Sequence, residues 1–172
     1  MSGLLQTPDY ARAILTVNPG VTDDEVGARL AARLERQAVL TRDDPLTAWF
    51  LVDEAALRRC VGSPEVMAGQ LAHLAGIARL PNVTIQVVPN IAHAGLLGGF
   101  AVAENAAYVE TAVAGQVFED AEVIADLLTR FDTLRNEAFR GSESLILIER
   151  MCEEWKATGV KAVTQAITAE SA

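Results

Sequence analysis

The spacing of hydrophobic positions changes period several times along this chain, and each change marks an element. Thr7-Pro8-Asp9-Tyr10 reads as a helix start, with Thr7 as N-cap and Pro8 in the first turn. Asn18-Pro19-Gly20 ends the short helix that follows. Thr22 with Glu25 three residues later forms a capping box. The helix behind it runs to about Thr41, with Val26, Leu30 and Leu34 on one face and Arg29, Arg33 and Arg36 on another. The arginine face is expected to be solvated, since Glu25 and Arg29 already stand at i,i+4 spacing. Ala48 to Val52 is an unbroken apolar run, the mark of a buried strand. Asp53 then caps a short helix carrying Leu57, and Ser63-Pro64 starts another through about Arg79. Val83, Ile85 and Val87 alternate with Thr84 and Gln86, so a half-buried strand follows. A helical crossover joins it to the first strand, which predicts a parallel pair.

Pro89 to Gly99 reads as a loop holding His93 and three glycines. Phe100 to Ala103 and Tyr108 to Thr111 flank Glu104-Asn105-Ala106 as a hairpin, and Gly115 to Phe118 adds a further strand. Asp120 to Phe139 is one long helix. Gly141 breaks it, and Ser142 caps a second helix through Trp155. The expectation is an α+β fold. A mixed sheet of four to five strands, parallel at one end and antiparallel at the other, is packed by several helices and closed by a C-terminal helical pair. Residues 1–156 form the domain, and 157–172 are expected to be a frayed tail.

The length of 172 residues suits one domain, and 51% hydrophobic with 5% aromatic residues predicts an aliphatic core. The net charge of −9 argues against direct nucleic-acid contact and against an anionic membrane surface. There is neither a long apolar run nor a secretory signal, so a cytoplasmic location is expected. Cys60 and Cys152 lie far apart among apolar residues and read as buried, reduced thiols.

No phosphate loop, dinucleotide glycine pattern or His-Glu-x-x-His run is present, and no cofactor or metal is expected. Gly95-Leu96-Leu97-Gly98-Gly99 does not precede a helix, so it fails as a phosphate cradle. His73 lies mid-helix and reads as a surface or interface side chain, whereas His93 lies in a loop beyond a strand end, where functional groups gather. Trp49, Gln86, Phe100 and Tyr108 near strand ends suit either a pocket lining or the core. The residues selected as ligand contacts are Trp49, Glu54, Arg58, Gln86, His93 and Phe100; no catalytic set is selected. An alternative reading is an enzyme for cyclisation or rearrangement in an apolar pocket, with Glu54, Glu110, His93 and Tyr108 as its polar groups. A third is a purely structural interaction module with an exposed apolar face.

Several stretches together are more specific than any motif. They are Gly3-Leu4-Leu5-Gln6-Thr7-Pro8-Asp9-Tyr10-Ala11-Arg12-Ala13, Arg36 to Leu40, Asp53 to Arg58, Gln70 to Leu74, Val83 to Pro89, Phe100, Tyr108-Val109-Glu110 and Ser144. In this order they resemble the DUF5753 domain found behind XRE-type helix-turn-helix modules in actinobacteria, especially streptomycetes. The resemblance covers about residues 3 to 156. It implies an antitoxin-like regulator of development and secondary metabolism, in which this domain senses a small-molecule effector or a small protein partner, and a homodimer is expected. In that family a DNA-binding module and a linker precede the Gly-Leu-Leu-Gln-Thr segment. Here Met1 stands two residues before it, so the sequence is expected to lack that module.

Overall fold

The computed structural model describes residues 1–111 and 115–170, with side chains through residue 161. A 3₁₀ turn at Gly3–Leu5 leads into α1 (Pro8–Leu15) and α2 (Asp23–Gln37). Next come β1 (Ala48–Asp53), α3 (Glu54–Arg58), α4 (Pro64–Ile77) and β2 (Val83–Val88). A second stretch of strands holds β3 (Phe100–Val102), β4 (Ala107–Glu110) and β5 (Gly115–Phe118). Two helices close the chain, α5 (Ala121–Glu137) and α6 (Gly141–Glu170).

The helix starts follow their capping chemistry. Thr7, Thr22, Asp53, Ser63 and Asp120 each accept backbone N–H groups of the first turn, and Thr22 with Glu25 completes the reciprocal box. Helix α6 departs from expectation at both ends. It begins at Gly141, where Glu143 Oε2 accepts the Arg140 N–H at 2.9 Å, rather than behind a Ser142 cap. It also runs to Glu170 without a break near Trp155.

The predicted pairings are present, but in two sheets rather than one. β1 and β2 are parallel and in register from Ala48↔Val83 to Asp53↔Val88. β3, β4 and β5 form a separate antiparallel sheet in that order. The reason lies on the outer edge of β2. The N–H and C=O of one strand residue point the same way, and those of Val87 are already taken. Its N–H donates to Ser144 Oγ at 2.9 Å, and its C=O accepts the Phe139 N–H at 2.9 Å. The junction of α5 and α6 thus sits where a third strand would pair, and the hairpin is displaced into its own sheet.

One core holds the domain. Val52, Val83, Ile85 and Val87 meet Leu71, Leu74 and Ala75 of α4 and Ile148, Met151 and Cys152 of α6. Leu5, Leu40 and Leu57 complete it. Burial continues past residue 150: Trp155 Nε1 donates to the Leu57 carbonyl at 2.9 Å, and Gly159 is buried against Pro64 and Glu65. Cys152 is buried as expected, its thiol reaching the Ala68 carbonyl at 3.3 Å. Cys60 is exposed, contrary to expectation, because α3 ends at Arg58 and the chain there runs on the surface. No helix among the described residues is long and apolar enough to cross a membrane.

Candidate functional site

Three glutamines explain the N-terminal signature. Gln70, fully buried, accepts the Thr7 N–H at 2.7 Å and donates to the Leu5 carbonyl at 2.6 Å. Gln37 donates to the carbonyls of Gly3 and Gln6 at 2.8 and 2.7 Å. Gln6 donates to the Met1 carbonyl at 2.9 Å and accepts from Arg33 at 2.5 Å. The side-chain amide carries both a donor and an acceptor, so each can staple an irregular backbone that has no ladder to join. Arg33 therefore leaves the arginine face expected to be solvated, while Arg29 and Arg36 stay exposed.

The six residues selected from sequence fall into separate groups. Trp49 and Gln86 share one face of the β1–β2 pair. Trp49 Nε1 donates to Gln86 Oε1 at 2.8 Å, and Gln86 Nε2 passes the chain of bonds to the Phe139 carbonyl at 2.8 Å. The Arg135 guanidinium of α5 lies 5.1 Å from the Trp49 ring centre, a cation–π contact. Phe100 is apart from them, with Arg130 of the same helix 5.9 Å from its ring.

Glu54, Arg58 and His93 come together at the C-terminal end of the parallel strands. Glu54 Oε1 accepts from Arg58 at 2.5 and 2.9 Å, and its Oε2 accepts the Asn90 N–H at 3.2 Å. The Arg58 hydrogen bond, assisted by Asn90, holds the Glu54 carboxyl below its ordinary pKa against the opposing effect of burial. The carboxylate so ties the start of α3 to the loop after β2. His93 stands at the head of the 3₁₀ turn Ala94–Leu97, where its Nδ1 accepts the Gly95 N–H at 3.1 Å. With Nδ1 so engaged, Nε2 is the ring nitrogen left over. That atom is 3.5 Å from Asp53 Oδ2, near enough for attraction but without a hydrogen bond. The ring itself is only 3% exposed.

Asp53 is the residue the sequence reading passed over, having read it as a helix cap alone. Its Oδ1 does cap Ala55 at 2.7 Å, while Oδ2 faces the histidine. The signal was available in the equal lengths of two parallel strands, which put Asp53 level with Val88. Glu110 approaches the same end. Its N–H donates to the Gly99 carbonyl at 3.0 Å, and the Met1 amino group, whose pKa burial lowers, is acted on in the other direction by Glu110 and Asp53. Tyr108 lies on the far face of the antiparallel sheet, its hydroxyl over Gly115, where a Cβ would collide with it.

His73 was expected as a surface or interface side chain. It is half-buried, its Nε2 has no partner, and burial lowers its pKa. No group of three His, Cys, Asp or Glu among the described residues is arranged to hold a metal ion. A shallow open groove between α4 and α6 is lined by Ala72, Ala75, Arg79, Glu149, Arg150 and Lys156, among others, and by none of the selected residues.

Fold and site together define a mixed α/β domain in which Glu54, His93 and Asp53 brace the base of a surface loop. The family model described as "Domain of unknown function (DUF5753)" matches residues 1–150, and the chain belongs to that family. No curated protein and no solved structure matches it.

Proposed function

We propose that this chain is the partner-sensing domain of an XRE-type transcriptional regulator, and that the partner docks on the loop between β2 and β3. The observation that carries the reading is the exposure of Ile91, Leu96 and Leu97, at 58%, 63% and 76%. Three large aliphatic side chains crowded in water on one short loop are costly for solubility unless something covers them. The loop is held at its base by the Asn90–Glu54 bond, the His93 cap and the Glu110–Gly99 bond. Apolar tips on a fixed base suit protein recognition, because little loop entropy is lost on docking. Exposed aliphatic side chains on a loop also favour a polypeptide over a small molecule, which binds best in a concave site.

The test is a photo-crosslinking amino acid at Leu97, in an actinobacterial host, with the adduct identified by mass spectrometry. The expected result is one discrete polypeptide, which after purification binds this chain and loses affinity on Leu96→Lys. A small-molecule adduct replaces the protein partner with an effector. No adduct, or one indifferent to Leu96→Lys, refutes the docking loop.

A further inference from the structure

Charge is distributed unevenly along this chain. Residues 80–129 contain no Lys or Arg but six carboxylates, those of Glu104, Glu110, Glu119, Asp120, Glu122 and Asp126. The remainder carries 14 bases and 17 acids, so −6 of the net −9 belongs to this one stretch. The stretch holds the whole antiparallel sheet, and β5 is one of its two edges. Among the described residues no strand pairs with the outer side of β5. Its sequence, Gly115-Gln116-Val117-Phe118, has no Lys and no Pro, the residues that ordinarily blunt an edge strand.

The described residues on the face of this sheet turned away from α5 are exposed. The register places Ala101, Tyr108 and Val117 in one row across the three strands, and Tyr108 and Val117 are 44% and 62% exposed. An added strand with an apolar residue opposite Val117 would extend that row. Cross-strand pairing of this kind contributes to sheet stability in its own right.

We propose that the outer edge of β5 takes an extended basic segment of a partner protein as a fourth strand. Backbone hydrogen bonds would give the affinity, Val117 the register, and the six carboxylates the charge selection. A second copy of this chain fits less well, because pairing β5 with itself would bring together two copies of the stretch that carries −6. The inference rests on the partner-binding reading above and assigns the partner's chemistry.

The probe is an acetylated, amidated seven-residue peptide alternating Lys or Arg with Val, titrated into the full chain and followed by amide NMR. Expected are shifts and slowed exchange at Gln116, Val117 and Phe118, with binding weakened about tenfold as salt rises from low to several hundred millimolar. Both substitutions remove the apolar pair at Val117, but Val117→Lys should weaken binding at least about fivefold more than Val117→Glu, since one adds repulsion and the other attraction. Because the two substitutions are equally polar on an exposed site, a fold defect would strike both. Equal binding by the peptide with Glu in place of its bases overturns the proposal, as does equal binding by a peptide N-methylated at alternate residues. A dimer in which β5 amides are protected without peptide overturns it in favour of self-pairing. A Leu97 crosslink that persists while β5 stays unaffected leaves the docking loop standing and removes the edge strand alone.

Discussion

Replacing Gln70 with Leu tests whether the glutamine clamps fix the N-terminal segment. The substitution keeps the volume and removes both amide functions. It strands the Thr7 N–H and the Leu5 carbonyl, the latter in a fully buried bond. Each unpaired group costs about 1–3 kcal/mol, so the pair costs about 2–6 kcal/mol. Burying Leu in place of an amide returns about 1.5–3 kcal/mol. At the midpoints of these ranges the net expectation is a loss of about 2 kcal/mol, read from urea denaturation at constant m-value. Amide exchange in residues 1–11 should accelerate more than exchange in α4, because the clamp is lost at the segment and not within the helix. Gln70→Glu supplies the sign check. A carboxylate still accepts from Thr7 but faces the Leu5 carbonyl as a second acceptor, and burial raises its folded pKa. Stability is then fully present below about pH 4, near the unfolded carboxyl value, and is lost as pH rises through the folded value. A loss under about 0.5 kcal/mol for Gln70→Leu, or a pH-independent Gln70→Glu, refutes the clamp.

Three further outcomes follow from the same bonds. His73 has a folded pKa below its ordinary 6.5, so its contribution is present above 6.5 and declines as pH falls through the folded value; His73→Leu should flatten that slope in denaturation curves taken across this range. Glu54 is likewise depressed, from an ordinary 4.5, so the stability it lends above that pH is lost on acidification below it, and Glu54→Gln should reduce this acid sensitivity when melts are compared between neutral and acid pH. Gly95→Ala would place a Cβ 2.9 Å from Nδ1 and 3.0 Å from Cε1 of the enclosed His93 ring, so it should cost about 1–3 kcal/mol and lower the thermal midpoint by roughly 2–4 °C per kcal/mol; an unchanged midpoint would mean that the ring is free to move.

Local chemistry was legible where one or two neighbouring residues decide the outcome. Thr7, Thr22, Asp53 and Ser63 cap their helices because a short polar side chain ahead of an apolar stripe has little else to do. The parallel pair was legible from two strands joined by helices, and the hairpin from its polar turn. What could not be read was the competition for β2's edge. Ser144 lies 57 residues from Val87, and nothing in its neighbourhood announces that its hydroxyl will replace a strand. The same holds for Gln70 and Gln37, whose partners are 63 and 34 residues away. Long-range side-chain bonds to backbone have no period, so a pattern reading returns the residue without its role. Among the selected site residues, Glu54 and His93 were drawn to one strand end by topology, whereas Trp49, Gln86 and Phe100 were drawn toward α5, whose facing arginines carry no periodic mark.

These bonds also narrow where a partner can act. Glu54 has both oxygens engaged, Gln86 bridges Trp49 to a helix end, and His93 uses Nδ1 on its own loop. A group that must receive substrate or exchange a proton needs hydrogen-bonding capacity to spare; Glu54 and Gln86 have most of theirs committed to holding strands and loops in place, and His93 keeps only a buried Nε2 uncommitted. In the reading proposed above, recognition falls to what the scaffold leaves outside: exposed Ile91, Leu96 and Leu97 on the braced loop, and exposed Val117 with Tyr108 on the antiparallel sheet. Both surfaces belong to residues 80–129, the stretch without a Lys or Arg. In that reading a partner with apolar contacts ringed by Lys or Arg would satisfy both at once and an acidic one would be repelled, so that charge on this stretch would select the partner and the aliphatic side chains would hold it.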